Sequence, residues 1–381
     1  MVHPAQAQKV QHLAAGDLAM PPSRYVQSEN KRPTAGSMAV TAIIPTIDMN
    51  LLTDAAATTA ADEEATKLRS ALQSWGLFAV TGHGMPESFL DEILSATRNF
   101  FHLPPAAKEK YSNVVAGAVA GNGNEKSFQA EGYGIDRIDT DEQILDWCDR
   151  LYLQVQPESN RQLKFWPPEL HELLEEYTLR SEHVFRRLLA AVARNLGFNS
   201  EFFADKIGDN VSTYARFTYY PPCPQPELVY GLKPHTDNSV LTILLLDNRV
   251  GGLQILRDGR WLDIPVLTDG ELLVIAGDEI EIMSNGVFMA PVHRVVASDR
   301  ERISVVMFYQ PEPEKVLAPS EELVGKERPA MYKRIEAKVF GDGVWDAFAA
   351  GERTIDFLKV KVEQQEERGT LDGSYSVGTR Y

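Results

Sequence analysis

Cysteine is scarce in this sequence, which has only Cys148 and Cys223 among its 381 residues. Two cysteines are too few for a disulfide framework, and such scarcity is typical of proteins from a reducing compartment. No apolar run reaches the roughly 20 residues that cross a bilayer, and residues 1–20 lack a cationic segment followed by an apolar core. We therefore expect a cytoplasmic protein without membrane association, in which both thiols are buried and free.

Basic residues are also in deficit. The chain has 38 lysines and arginines against 54 aspartates and glutamates, which gives a formal net charge of −16. Nucleic acids and anionic membranes attract basic patches, so neither is expected as a partner. The 44% of hydrophobic residues is enough for a substantial core. We expect a monomer that acts on a small-molecule substrate.

Changes in composition and periodicity along the chain predict five regions. They are a flexible N-terminal arm (1–43), an N-terminal helical and mixed region (44–200), a catalytic core (201–315), a C-terminal helical region (316–362) and a polar tail (363–381). The arm is rich in Ala, Pro, Ser and Gln and shows no sustained period. Within the second region, residues 112–127 contain small and polar residues with several glycines, which predicts a mobile loop.

Short strand patterns recur between turn signals in residues 212–310. They lie at 214–220, 240–246, 253–256, 272–275, 280–283 and 303–309. Helical periodicity is present at 59–73, 86–101, 171–196, 329–340 and 344–350. This arrangement predicts a mainly β fold with α (α+β), in which helices buttress a double-stranded β-helix (jelly roll) core.

The histidines indicate a metal site in the strand region. Of eight histidines, only His235 and His293 fall in the region of the predicted strands, 212–310, and Asp237 lies two residues after His235. Residues i and i+2 of a strand project from the same face, so His235 and Asp237 can share one ion. Two imidazoles and one carboxylate are typical of non-heme Fe(II) oxygenases. A zinc site with three histidines or several cysteines is hard to assemble from the residues available there.

A second cluster follows nine residues after His293. Arg302 and Ser304 alternate with Ile303, so both polar side chains project from one face of the predicted strand. A guanidinium next to a hydroxyl suits a carboxylate, because arginine presents charge-assisted donors in a fixed fork. We therefore expect an anionic co-substrate beside the metal.

The chain resembles the plant 2-oxoglutarate- and Fe(II)-dependent dioxygenases, the class that contains flavonoid, gibberellin and alkaloid oxidases. The resemblance covers about residues 44–360. It rests on Trp75-Gly76-Leu77-Phe78, Gly82-His83-Gly84, the run Tyr219-Tyr220-Pro221-Pro222-Cys223-Pro224-Gln225-Pro226, His235-Thr236-Asp237, Gly251-Gly252-Leu253-Gln254, Ser284-Asn285-Gly286, His293-Arg294 and Arg302-Ile303-Ser304. The chain departs from the family at Thr218, where an asparagine is usual.

The resemblance implies roles for six residues. The catalytic metal ligands of Fe(II) would be His235, Asp237 and His293. The 2-oxoglutarate co-substrate would be bound by Arg302, Ser304 and Tyr220. The implied reaction consumes O2 and 2-oxoglutarate, releases succinate and CO2, and hydroxylates or demethylates a hydrophobic, aromatic small molecule. Ascorbate is an expected additive for activity in vitro.

The substrate pocket is predicted from a few aromatic side chains. Phe308 aligns with a position that lines the family's pocket, and Phe128 and Tyr133 are further candidates. Residues 353–357, together with 292–296 and 303–310, resemble the herbicide-oxidising branch from grasses. The expected roles therefore include specialised metabolism and detoxification of xenobiotics.

Two other functions stay open from the sequence. A non-catalytic small-molecule receptor on the same scaffold would bind ligand without turnover of 2-oxoglutarate. A metal-dependent hydrolase would use a metal-bound water and would need neither O2 nor Arg302.

Overall fold

The structure is a computed structural model that describes residues 9–16, 18–33, 40–52, 58–113, 129–138, 140, 142–351 and 353–360. Most of the predicted mobile loop, the pocket candidate Phe128 and the predicted tail 363–381 lie outside these residues. Within them, no helix combines the length and the apolar character needed to cross a membrane.

The described residues form eight α-helices and fourteen strands, joined by short 3-10 turns. The helices are α1 (Val10–Ala14), α2 (Thr59–Ser74), α3 (Glu87–His102), α4 (Pro105–Lys108), α5 (Pro168–Asn195), α6 (Phe202–Ile207), α7 (Asp278–Met283) and α8 (Ala337–Ala350). The strands are β1 (Thr46–Asp48), β2 (Leu77–Thr81), β3 (Gly132–Gly134), β4 (Asp149–Gln156), β5 (Ser212–Tyr220), β6 (Tyr230–His235), β7 (Leu241–Leu246), β8 (Leu253–Arg257), β9 (Arg260–Asp263), β10 (Leu272–Ala276), β11 (His293–Val296), β12 (Arg302–Gln310), β13 (Val316–Leu317) and β14 (Ile335–Glu336).

The largest sheet has eight strands in the order β1-β2-β10-β7-β12-β5-β4-β3, and all neighbours are antiparallel except β1 and β2. Its strands come from both the 44–200 and the 201–315 region, so these regions share one sheet. Helices α2, α3 and α5 contribute to the apolar cluster on one face of this sheet, which we call the outer core. Helix α5 buries one apolar stripe in it, and Gly197, with a φ of 83°, follows the helix end as the sequence predicts.

A second sheet of four strands, in the order β6-β11-β8-β9, faces the large one. Between them lies the inner core, an apolar cluster that draws side chains from both sheets, including Leu244 and Val306 from one and Ile255 and Val295 from the other. Along β12 the even-numbered residues point to this inner side, whereas Ile303, Val305 and Met307 join the outer core. Two facing sheets backed by helices confirm the predicted fold class.

Two predicted elements are wrong. Residues 280–283 belong to helix α7 and not to a strand, and every residue of that helix is buried. Ile and Glu alternate in these residues, which is the pattern of a half-buried strand. In the helix Glu281 is buried all the same, because the Ala290 amide and the Tyr332 hydroxyl donate hydrogen bonds to its carboxylate. The C-terminal helix starts at Ala337 and not near 329, because β14 first pairs with β13.

The described part of the N-terminal arm is packed and differs from the expectation of a flexible segment. Val10 and Tyr25 are buried in a cluster with Trp147 and Cys223. The amides of Val10 and Gln11 donate to the carboxylate of Asp149, at 2.8 and 2.9 Å. Both cysteines are free and buried, as the sequence predicts.

Candidate metal and co-substrate site

Three potential metal ligands meet at one end of the small sheet. His235 is the last residue of β6, Asp237 lies two residues further on, and His293 begins β11 directly opposite His235. The Asp237 Oδ1 atom is 3.7 Å from His235 Nε2 and 3.5 Å from His293 Nε2. One ligand atom from each residue lies within 4.8 Å of the others, and the described part of the chain contains no other group of this kind.

Backbone carbonyls fix the orientation of both imidazoles. His235 Nδ1 lies 2.8 Å from the Lys233 carbonyl and His293 Nδ1 lies 3.1 Å from the Pro291 carbonyl. A carbonyl can only accept, so each Nδ1 carries the hydrogen and each Nε2 keeps its lone pair for a metal. Burial, together with the neighbouring His293, lowers the pKa of His235, which keeps its ring neutral.

Arg302 lies on the inner side of β12, where strand pairing sets it against Tyr220 of β5. Its guanidinium carbon is 5.1 Å from the centre of the Tyr220 ring. Arg302 is 3% exposed, and its Nε and Nη1 atoms have no hydrogen-bond partner among the described residues. Burial raises the pKa of Tyr220, so its phenol remains protonated.

These residues fit the group that the resemblance implies. A buried guanidinium with unpaired donors is costly unless an anion completes it. The far carboxylate of 2-oxoglutarate is such an anion, and two neutral imidazoles with one carboxylate suit Fe(II). Thr218, the position at which the chain departs from the family, lies on β5. Its hydroxyl accepts a hydrogen bond from Arg216 Nε at 3.2 Å.

The predicted pocket residues separate in the structure. Phe308 is half-buried on the inner side of β12, where it packs against the inner core. Tyr133 instead lies in the outer core against Phe100 and Phe101, and its hydroxyl donates to Gln11 Oε1. This position removes Tyr133 from the side that carries the histidines, because residues on opposite faces of a sheet do not share a pocket.

A group of buried charges on the inner side was not found from the sequence. Arg216 forms two hydrogen bonds with Asp136, at 3.0 and 2.8 Å, and Arg150 Nε donates to the same carboxylate at 3.0 Å. Burial alone would raise the pKa of Asp136, but Arg216 and Arg150 hold it below its usual range. Arg216 and Tyr220 are four residues apart on one strand, so the sequence could have predicted that both lie on the inner side. Asp136 lies in a loop, and no pattern in the sequence predicts its position.

Phe348 is a second residue that the sequence did not reveal. This residue of α8 meets the His235 ring edge to face, with ring centroids 5.7 Å apart. The ammonium of Lys233 lies 4.5 Å from the centre of the same ring. More than 100 residues separate Phe348 from His235 along the chain, so no local pattern connects them.

Two facing sheets, a cluster of two histidines and one carboxylate, and a buried arginine with unpaired donors define an Fe(II)- and 2-oxoglutarate-dependent oxygenase. The chain belongs to the 2OG-Fe(II) oxygenase superfamily, whose family model matches residues 212–311. A second model, for the N-terminal region of non-haem dioxygenases in morphine synthesis, matches residues 44–169. The family, the enzyme class and the cofactors expected from the sequence are thereby confirmed.

The chain is similar over most of its length to plant proteins. Protein SRG1 of Arabidopsis thaliana is 34% identical over 346 residues, which cover 89% of this chain and 92% of that protein. Oxoglutarate-dependent flavonoid 7-O-demethylase 1 of Ocimum basilicum is 30% identical over 356 residues, with 92% and 91% covered. The crystal structure of JOX2 in complex with 2OG, Fe and JA has a TM-score of 0.79 at 30% identity and covers 90% of this chain and 95% of that one.

Proposed function

We propose that this chain holds Fe(II) with His235, Asp237 and His293, binds 2-oxoglutarate through Arg302, and oxidises a hydrophobic, aromatic small molecule. Oxidation by hydroxylation or demethylation would release succinate and CO2. The observation that carries the proposal is Arg302, a buried cation with unpaired donors in a chain whose strands also bring three metal ligands together. A hydrolase would have no use for this cation, and membership of an oxygenase family argues against a receptor without turnover.

Each residue of the site has a defined task in this proposal. The bound iron and co-substrate supply the oxidising chemistry with O2. His235 and His293 present Nε2 because the backbone carbonyls of Lys233 and Pro291 hold their Nδ1 hydrogens. Arg302 orients the co-substrate by its carboxylate, and Tyr220 and Ser304 support that end with hydroxyl groups. The apolar inner core excludes water from the reacting centre.

The surroundings of His235 support an aromatic substrate that carries oxygen atoms. Phe348 packs against His235, and Phe308 lies on the inner side of β12, so both rings can contact a flat apolar molecule. Arg216 and Arg150 both form ion pairs with the carboxylate of Asp136 on the inner side. Carbonyl oxygens or a delocalised negative charge on the substrate would be stabilised by a guanidinium donor such as that of Arg216. Phenolic and polyketone compounds have this combination, so flavonoids and triketone herbicides are the first compounds to test.

The test is succinate formation from 2-oxoglutarate in air with Fe(II) and ascorbate, across flavonoids, alkaloids, hormones and triketone-like compounds. We expect at least one aromatic, oxygen-bearing compound to stimulate succinate release with formation of an oxidised product. The anaerobic reaction and the Asp237→Ala variant should both be inactive. Succinate release that is independent of O2, or unchanged in Asp237→Ala, would contradict the assignment of the site.

A further inference from the structure

Two buried carboxylates lie next to residues 235–239, the segment that follows β6 and that we call the metal-binding loop. Asp278 and Glu281, both in α7, are 1% and 0% exposed. The Asp278 amide donates to the Asp237 carbonyl at 2.8 Å, and the Thr236 hydroxyl donates to Asp278 Oδ2 at 3.1 Å. Asp278 is therefore hydrogen-bonded both to the backbone of Asp237 and to Thr236, the residue between the two ligands.

The cation that balances this pair comes from the C-terminal segment. Arg353 Nη2 lies 3.1 Å from Asp278 Oδ1 and 3.3 Å from Glu281 Oε2, and its Nε lies 3.4 Å from the Thr236 hydroxyl. Among the described residues, no other cation forms an ion pair with either carboxylate. Burying two carboxylates is costly without a partner, so this contact stabilises the position of Arg353 strongly.

Arg353 also follows closely after α8, the helix whose Phe348 contacts His235. Helix α8 carries Phe348 and ends at Ala350, and Gly351 follows it with a φ of 73° that turns the chain back towards α7. Ile355 and Leu358, 0% and 3% exposed, then anchor the following turn in the outer core. The ring of Phe348 therefore contacts His235 only five residues before the guanidinium that grips the acidic pair.

We propose that Arg353 is a positioning residue that fastens α8 to the metal-binding loop and thereby sets the place of Phe348 over His235. The role in substrate contact rests on the proposed function of the site, whereas the mechanical link does not. Arginine is required because its planar fork reaches Asp278, Glu281 and Thr236 together, which the single ammonium of a lysine cannot do.

Hydrogen–deuterium exchange of the purified full chain tests the mechanical link without any catalysis. In Arg353→Gln, we expect the amides of α8 to exchange at least about tenfold faster, because the local opening free energy falls when the buried pair is broken. The amides of α2 should keep their exchange rates, which shows that the fold persists. Arg353→Lys keeps the charge, so its α8 amides should exchange at rates between those of wild type and Arg353→Gln. If Arg353→Gln does not fold, Arg353→Lys is compared with wild type instead.

Lys359→Gln is the matched control for this experiment. Lys359 pairs with Asp356 in the same C-terminal segment, but both side chains are about half exposed. We expect the α8 amides of Lys359→Gln to exchange at the same rates as those of wild type. If Arg353→Gln and Arg353→Lys also leave α8 exchange unchanged, Arg353 does not fasten the helix and the proposal is overturned.

Kinetics with a substrate identified by the succinate assay test the link to Phe348. Arg353→Gln should raise the KM for that substrate about tenfold and lower the product formed per succinate, while the KM for 2-oxoglutarate stays within about twofold. Phe348→Ala should act in the same direction. The KM for the substrate should be only slightly higher in the double variant than in the stronger single variant, because both changes disturb the same contact between Phe348 and the substrate.

Effects that multiply in the double variant would show that Arg353 acts independently of Phe348 and would overturn the proposal. A raised KM for 2-oxoglutarate alone would do the same. If the wild-type chain forms no succinate with any compound, the proposed function fails, and the exchange experiment still decides whether Arg353 holds the helix.

Discussion

Arg302 is the buried residue whose environment most clearly requires an anion. It is almost fully enclosed, two of its nitrogen atoms have no partner in the described structure, and its near neighbour Tyr220 is an uncharged phenol. Sequence alternation along 302–304 predicted the face on which it lies. The unpaired donors could not be predicted, because they depend on what β5 and the small sheet place around the guanidinium.

Replacement of Arg302 by alanine should raise the KM for 2-oxoglutarate by about 10- to 150-fold, since a hydrogen bond to a charged group contributes about 1.5–3 kcal/mol. Succinate release at varied 2-oxoglutarate concentration measures this. Arg300→Ala is the control, because Arg300 is exposed in the preceding loop. An unchanged KM in Arg302→Ala would remove this residue from the co-substrate site.

The three ligand residues make a prediction about metal binding that needs no substrate. Iron or Mn(II) should stabilise the wild-type chain, because a ligand that binds only the folded state adds about 2.7 kcal/mol at a free concentration of about 100 times Kd. Asp237→Ala should lose most of this gain, and removal of metal with a chelator should reverse it in wild type. Thermal unfolding with and without metal is the measurement. An equal shift in both proteins would place the metal elsewhere.

At the scale of elements, the strands were more predictable than their neighbours. Five of the six predicted strands of the catalytic region are present, since alternation of apolar residues records burial on one or both faces. Helix α7 was mistaken for a strand because its polar residues are buried, so its sequence lacks the usual solvent face. Strand β6 carries His235 but was missed as an element, since Gly231 and Pro234 interrupt its pattern.

The start of α7 is held against the metal-binding loop by a close backbone approach. A Cβ atom at Gly277 would lie only 1.9 Å from the carbonyl oxygen of Ser239, two residues after Asp237. Gly277→Ala should therefore destabilise the fold by about 1–3 kcal/mol, as overpacking typically does, and weaken metal binding. Gly325→Ala is the control, because a Cβ there meets nothing within 4 Å. Urea unfolding with and without Mn(II) tests both effects; equal midpoints for the two variants would contradict this.

At the scale of the whole molecule, contacts between distant segments are what the sequence could not supply. The metal ligands were predictable because few histidines lie among the strands. Phe348 and Arg353 reach the site from the C-terminal segment, and Val10 and Gln11 reach Asp149 from the N-terminal one. Such contacts depend on how the terminal segments pack across the sheets, which no local period encodes.

The N-terminal contact predicts a pH dependence of stability. Burial raises the pKa of Asp149 from 3.8 to about 6, although the Gln11 and Val10 amides oppose this shift. Because the folded state holds this proton more tightly than the unfolded state, the stabilisation is greatest in acid and is lost as the pH rises through about 6. Wild type should lose about 1 kcal/mol from this group between about pH 5.5 and about pH 7.5.

Asp149→Asn removes the titrating group. The free energy of unfolding of this variant should therefore lack the decrease of about 1 kcal/mol with rising pH, whatever its stability at a single pH. The slopes are compared by urea unfolding, with Asp91→Asn as a control because Asp91 is an exposed carboxylate. Asp91→Asn should follow wild type. If Asp149→Asn does so too, the proton on Asp149 does not couple to folding, and the anchoring of the N-terminal segment would depend on the packing of Val10 and Tyr25 alone.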